Sequence, residues 1–591
     1  MIYQNFTLLL ILSFFFTNLI VATVSRKLLT YKGVQFSLIL NNILLFSFCC
    51  YFWSFFIINY GHESISFKLN SNNWMNINYE ILLKLNTLNF LFVFLVSIIG
   101  LATNFYILNY FKYEERGEEF ILLINWFIFS MIFLVIGNNF FSIIIGWEMI
   151  GLTSFLLINF WRFKITTLGC SFKAFTFNKV SDIFLMIGLC LLWNKFKTSN
   201  VDTLLTLINL NSSNNNYVLL KAAVCILISS SIKSAQFIGH LWLPDSMEAP
   251  VPASSLIHSA TLVSAGIYLL LKFQVIFSIT GLFKFIFLLG SFTACYGGII
   301  AASQSDMKKL LAYSTISHCG FIVASISLNN FLVTVVYLYL HGLFKALTFF
   351  CAGSIIKFNG TQDTRLMGMN KNQLINIITL TVASINLGGL PFTFGYLYKY
   401  LFINFLIINP VNMVGYGFNI VGMLCSAVYV YKLIYYSCFD YRKGPYQLLS
   451  NLIQNNKNWL KHLIFNFTFV KVIAFSIVYI FGCLFFFIIK FYFLKNYLFI
   501  FYSGDNDVNN FIFMSDIIAV NAHLVTIFYI LFTVTVVVLT LMNWRENDFI
   551  IEKLQLLETF YGITLFYSIF AKGLLYIPLM LTKIINVLSF I

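Results

Sequence analysis

The sequence predicts an all-α, polytopic integral membrane protein with about 15–16 transmembrane helices, and three observations carry that reading. Of 591 residues, 60% are hydrophobic and 10% are charged, whereas soluble domains carry roughly 25% charged residues. The apolar residues fall in recurrent runs long enough to cross a bilayer, which takes about 20 residues per helix. The polar links between the runs are short, so most of the chain is committed to lipid or to other helices.

Other classes drop out on the same composition. The net charge of +15 is spread over loops and helix ends without a basic stripe. That is the pattern of membrane-flanking cations, not of a nucleic-acid surface. The eleven cysteines include no CxxC pair and read as small core residues, not as a metal or iron–sulfur framework. With no G-x-G-x-x-G, no G-x-x-x-x-G-K-[ST] and no H-E-x-x-H, the chain is expected to hold no cofactor of its own.

Taken in order, the first apolar segment, 5–23, lacks a basic n-region and a small-residue cleavage site, so it reads as a spanning helix and not as a leader. Segments follow at 34–59, 86–109, 118–136, 139–161, 170–194 and 217–240, then at 252–276, 281–303, 308–328, 330–357, 372–403 and 411–439. The last lie at 464–494, 519–541 and 557–590. The polar stretches 112–119, 198–216, 359–372 and 440–461 are expected as aqueous loops. Two helices are broken, one before Pro244 and one at Pro391, each with a lysine nearby, Lys233 and Lys399. Paired interruptions mark an internally repeated transporter. The chain then divides into N-terminal helices (1–110), a first repeat (111–276), a second repeat (277–440) and C-terminal helices (441–591). The 70 phenylalanines and abundant Ile, Asn, Tyr and Lys match A+T-rich codons, as in organelle genomes.

Ionisable residues inside these runs are the candidate site, because charge in lipid is costly and usually lines an ion path. The stretch Ser229–Thr261 concentrates them, with Lys233, His240, Asp245, Glu248 and His258 beside Pro244, Pro250 and Pro252. Glu148, mid-helix in IIGWEMIG, reads as a proton carrier switchably paired with Lys233, or as a structural ion pair. Lys233 is read as a lysine whose charge is set by burial and by a nearby carboxylate, against a snorkelling lysine. His258 can pass a proton or serve as a satisfied core residue. Tyr337, His341 and Lys345 recur every four residues and stack on one helix face. Lys399 mirrors Lys233 as the last intramembrane cation. Lys179 and Asp182, an i, i+3 pair, either orient the Glu148 helix or extend the path toward one surface.

The stretches IIGWEMIGLTSFLLINFW, KAFTFNKVSDIFLMIG, IKSAQFIGHLWLPDSMEAPVPASSLIHSATLVSAGIYL, SQSDMKKLLAYSTISHCGFIV and HGLFKALTFFCAGSII together resemble the large antiporter-like subunits of respiratory complex I, over residues 85–440. The resemblance implies two inverted five-helix repeats, each with a broken helix, and proton translocation driven by NADH-to-ubiquinone electron transfer elsewhere in the complex. It implies that Glu148 and Lys233 are the glutamate–lysine pair, His258 the connecting histidine, His341 and Lys345 the central pair, Lys399 the exit lysine and Asp182 the sixth-helix aspartate. Other membrane-arm subunits, especially a neighbouring antiporter-like one, would be partners, with lipids such as cardiolipin. FMN, iron–sulfur clusters and ubiquinone would reside in partner subunits, and the location would be the mitochondrial inner membrane.

Three departures qualify the resemblance. Tyr337 stands where the family often has a histidine, Tyr400 stands where an acidic residue usually follows the lysine, and the family's lateral helix and anchor are expected to be truncated here. A stand-alone cation/proton antiporter and a structural, non-pumping subunit are the alternatives.

Overall fold

The computed structural model describes residues 14–439 apart from 22–30, 59–64, 71–79, 113, 115, 211–216, 330, 369–373, 391–392 and 409–411. Among the described residues, ten helical stretches are long and apolar enough to cross a membrane. The chain is a multi-pass membrane protein. The segments expected at 464–494, 519–541 and 557–590, with the truncated lateral helix, lie outside the described residues, as does Pro391.

After a helical stretch at 14–21 come α1 (Tyr31–Ile58), the strands β1 (Ile65–Asn70) and β2 (Glu80–Leu85), α2 (Thr87–Tyr110) and α3 (Gly117–Ile136). The order continues with α4 (Phe140–Ile158), α5 (Ile165–Phe196), α6 (Val201–Leu210) and α7 (Tyr217–Lys233), then α8 (Val251–Ser259), α9 (Leu262–Lys272) and α10 (Gln274–Ile279). The second half holds α11 (Phe283–Ser303), α12 (Met307–Ile326), α13 (Phe331–Asn359), α14 (Leu374–Gly388), α15 (Phe394–Ile408) and α16 (Met413–Ile434).

Local chemistry sets many of these boundaries. Asn139 and Ser142 form a capping box at the start of α4, which satisfies amides that the helix leaves open. Glu118 and Glu119 occupy the first turn of α3, where negative charge favours the helix dipole. Lys197, in a left-handed conformation (φ 55°), closes α5.

Two features depart from the sequence expectation. Residues 65–70 and 80–85 pair as antiparallel strands with Ile65 opposite Leu85, so the described chain is not purely helical. The period-2 alternation of Ile65, Phe67 and Leu69 is a strand signal, but it is too short to stand out in a sequence dominated by helical runs. Within the stretch read as a loop at 198–216, α6 forms instead, burying Val201, Leu204 and Ile208 along one face. Lys84 pairs with Asp202 at 2.7 Å and Asn138 donates to the same carboxylate at 2.8 Å, which ties α6 and β2 to the end of α3.

Both helix breaks are present. After α7 the chain turns through Ala235 (φ 52°) and Ile238 (φ 77°), conformations that cost about 1–3 kcal/mol each. Cross-links hold this turn. Trp242 Nε1 donates to the Ile232 carbonyl at 3.0 Å, Lys173 of α5 pairs with Asp245, and Lys308 of α12 donates to the Met247 and Ala249 carbonyls at 3.2 Å each. The next span is also interrupted, at Ala260 and Thr261 between α8 and α9.

In the second half α14 ends at Gly388, and Gly389 has φ 70°. A Cβ at Gly389 would lie 2.6 Å from Lys399 Cδ, so glycine is required there by backbone and by space alike. The halves meet where α8 packs along α13, with Gly342 of α13 letting the Ser259 carbonyl come close.

Candidate functional site

In the first half, α4, α5 and α7 place four ionisable groups in a row. Lys179 and Asp182, three residues apart, share one face of α5. The Lys179 ammonium is ion-paired with Glu148 of α4 and lies 3.4 Å from Asp182 Oδ2. Lys233, the last residue of α7, stands 3.6 Å from Asp182 Oδ1. It donates to the Trp147 carbonyl at 2.6 Å and sits 3.9 Å from the centre of the Trp147 ring. Side-chain exposure falls along the row, from 36% at Glu148 and 43% at Lys179 to 3% at Asp182 and 0% at Lys233.

Glu148 and Lys233, expected as a pair, are therefore connected through Lys179 and Asp182. The reason is helical phase. Adjacent positions on a helix differ by about 100°, so with Trp147 turned to Lys233, Glu148 lies on the outer flank of α4. Lys179 and Asp182, for which the sequence left two roles open, are the links.

His258 lies in the last turn of α8, beside the Ala260–Thr261 interruption. Its Nε2 is 3.4 Å from Ser246 Oγ, its ring stacks on Phe349 of α13 at 5.4 Å, and its Nδ1 is buried without a hydrogen-bond partner. It lies within electrostatic reach of Lys345. His258, expected as the connecting histidine, thus faces the seam between the halves.

In the second half the ladder expected on α13 is met by one on α12. Lys345 Nζ donates to Ser314 Oγ at 2.5 Å. The His341 ring lies 5.2 Å from that of His318, whose Nδ1 is 3.2 Å from the Tyr337 hydroxyl. His318 Nε2 is 2.9 Å from the Tyr429 hydroxyl of α16. The Tyr337 ring stacks on Tyr398 at 4.2 Å, next in sequence to Lys399. Lys399 Nζ reaches back across the break to the Gly388 carbonyl and to Ser426 Oγ, both at 2.7 Å. Among the described residues its neighbours within bonding distance are neutral oxygens.

His318 was not among the residues singled out from sequence. The signal was there: α12 is the least hydrophobic of the ten spans and almost wholly buried, and Ser314 and His318 sit four apart, on one face.

Such an arrangement can hold and pass protons. Among the described residues no group of three or more His, Cys, Asp or Glu is placed to bind a metal ion.

Comparison with known proteins gives the same picture from another direction. Residues 137–425 match the transmembrane domain described as NADH:quinone oxidoreductase/Mrp antiporter. NADH-ubiquinone oxidoreductase chain 5 of Paramecium tetraurelia is 39% identical over 461 residues, covering 75% of this chain and 79% of that one. Chain 5 of Wickerhamomyces canadensis is 32% identical over 462 residues, covering 76% and 70%. NADH-quinone oxidoreductase subunit L of Buchnera aphidicola is 32% identical over 412 residues, covering 67% and 66%. Among solved structures, a chain of the archaeal membrane-bound sulfane sulfur reductase aligns with a TM-score of 0.63 at 17% identity, over 80% of this chain and 97% of that one. A chain of the Mrp complex from Dietzia aligns with a TM-score of 0.63 at 21% identity, over 80% and 55%. At those identities the two structures speak to the fold.

Proposed function

We propose, on the premise that this chain belongs to the NADH:quinone oxidoreductase/Mrp antiporter family as a chain 5 relative, that it translocates protons as a membrane-arm subunit of respiratory complex I. Electron transfer from NADH to ubiquinone would take place in partner subunits, which would hold the flavin, the iron–sulfur clusters and the quinone. The setting would be the mitochondrial inner membrane, with the chain organelle-encoded, as its A+T-biased composition suggests.

One observation carries the reading. A wholly buried lysine, Lys233, sits at a helix break within 3.6 Å of a buried carboxylate, Asp182, which is linked through Lys179 to a half-exposed Glu148. In low dielectric such pairs are costly to separate, so a rearrangement that separated Asp182 from Lys233 would drive the lysine to give up its proton. His258 would receive that proton at the seam, and Lys345, His341 and Lys399 would carry it through the second half. Residues 111–276 and 277–440 would act as two repeats, each centred on a lysine at a break.

The flank of α4 and α5 that bears Glu148 and Lys179 also exposes Phe172, Ile183 and Ile187. There a neighbouring antiporter-like subunit would dock, with lipid such as cardiolipin at its edges. The cation/proton antiporter alternative is less well supported, because the likeness to the Mrp structure is one of fold. Purifying the native assembly separates the two: co-migration with flavin and quinone-reductase activity is expected, and migration without either would favour the antiporter.

A further inference from the structure

We infer that His318 carries the proton between Lys345 and Lys399, joining the two lysines of the second half through Tyr337 and Tyr429. The inference rests on the proton-translocating reading above and adds a residue to it.

The geometry is that of two facing ladders. On α13, Lys345, His341 and Tyr337 rise one turn apart. On α12, Ser314 and His318 rise by the same step. The rungs are Ser314 to Lys345 at 2.5 Å, His318 to His341 with rings 5.2 Å apart, and His318 Nδ1 to the Tyr337 hydroxyl at 3.2 Å. The other ring nitrogen points the opposite way, to the Tyr429 hydroxyl at 2.9 Å. His318 is fully buried, and each of its nitrogens meets a phenol on a different helix. Ser426, the hydroxyl that contacts Lys399 Nζ, precedes Tyr429 by three residues on α16, about 4.5 Å along the axis. Tyr337 and His341 from α13 and Tyr429 from α16 face the imidazole, and Lys345 of α13 and Lys399 of α15 lie within electrostatic reach of it.

A neutral imidazole donates from one nitrogen and accepts at the other, which suits it to bridging two hydroxyls. The transfer balances without any redox change. A proton from the Lys345 ammonium reaches the Tyr337 oxygen by way of His341 as the Tyr337 hydroxyl proton passes to His318 Nδ1. The Nε2 proton then passes to the Tyr429 oxygen as that hydroxyl's own proton moves past Ser426 to the neutral Lys399 amine. Lys345 ends neutral and Lys399 charged, and the ring resets by exchanging tautomers. Without His318, Lys345 and Lys399 are separated by stacked tyrosine rings, and a phenol alone is a poor proton acceptor at neutral pH because its oxonium form is far too acidic.

The test uses the assembled complex in sealed membranes, reading protons translocated per NADH oxidised. His318→Gln keeps a hydrogen-bonding side chain but cannot be protonated, so the complex should assemble while its proton yield falls by about tenfold or more through this subunit. Tyr429→Phe should give a similar loss, and combining the two should add little. Because position 337 faces the same junction, Tyr337→His in the His318→Gln background should restore part of the yield, which a purely structural role for His318 would not do. A His318→Gln complex with the wild-type yield overturns the relay. If Lys233→Met and Lys399→Met also leave the yield unchanged, the proton-translocating reading itself fails. If those two abolish it and His318→Gln does not, only the relay is lost.

Discussion

Lys233 and Lys399 are both buried and both sit at a helix break, yet their surroundings differ in kind. Lys233 has Asp182 at 3.6 Å, backed by Lys179 and Glu148. Lys399 has the Gly388 carbonyl and the Ser426 hydroxyl, and Lys345 likewise rests on a hydroxyl, Ser314. At 3.6 Å with an effective dielectric of 20 the Lys233–Asp182 attraction is about 4–5 kcal/mol before desolvation. A hydrogen bond from a charged donor to a neutral oxygen contributes about 1.5–3 kcal/mol. The first half thus holds charge by counter-charge and is suited to switching it. The second holds its lysines by dipoles and links them with rings, which suits conduction.

The largest effect should distinguish the halves by stability. Lys233→Met leaves Asp182 buried with Lys179 as its remaining cation, and breaking such a pair costs about 3–5 kcal/mol. Lys399→Met leaves a carbonyl and a hydroxyl short of a donor, costing about 1–3 kcal/mol. Thermal unfolding of the detergent-solubilised complex should rank Lys233→Met below Lys399→Met, and equal losses would break the comparison. Adding Asp182→Asn to Lys233→Met removes the orphaned charge and should recover most of that stability, while proton yield stays low. Continued instability of the double variant would mean that Lys233 acts through packing.

A smaller stability change is expected at Glu148. Its pair with Lys179 is half exposed, so Glu148→Gln should cost no more than about 1 kcal/mol. With Glu148 as the proposed proton carrier at the outer end of the row, the proton yield should nonetheless drop, and a normal yield would place that role at another residue. Smallest of all, Ser426→Ala removes one of two oxygens at Lys399. A loss of about 1 kcal/mol and a proton yield within roughly threefold of wild type would be consistent with water replacing the hydroxyl. A collapse comparable with Lys399→Met would show that the second half depends on direct contact.

How far the sequence revealed this follows from what each signal measures. Hydropathy and proline placement located the described membrane spans and both breaks, since lipid forces long apolar runs and punishes interruptions. The β1–β2 strand pair and α6 were hidden because a few alternating or amphipathic residues outside the spans carry little weight. Lys233, Lys345 and Lys399 were legible as charges in lipid. Their partners were not, because pairing depends on helix phase between elements far apart in sequence. Hence Glu148 was matched directly to Lys233, across the Lys179 and Asp182 that intervene. His318 escaped notice because its helix, rich in Ser and Thr, reads as generally polar, and its role depends on Tyr429, more than 100 residues away.

Buried lysines in both halves are proposed to carry one proton path. The most direct measurement is the number of protons translocated per NADH oxidised by sealed membranes containing assembled complex with Lys399→Met, the less destabilised of the two lysine variants. A yield clearly below wild type with NADH-driven electron transfer still present is the predicted result. A wild-type yield would contradict the claim.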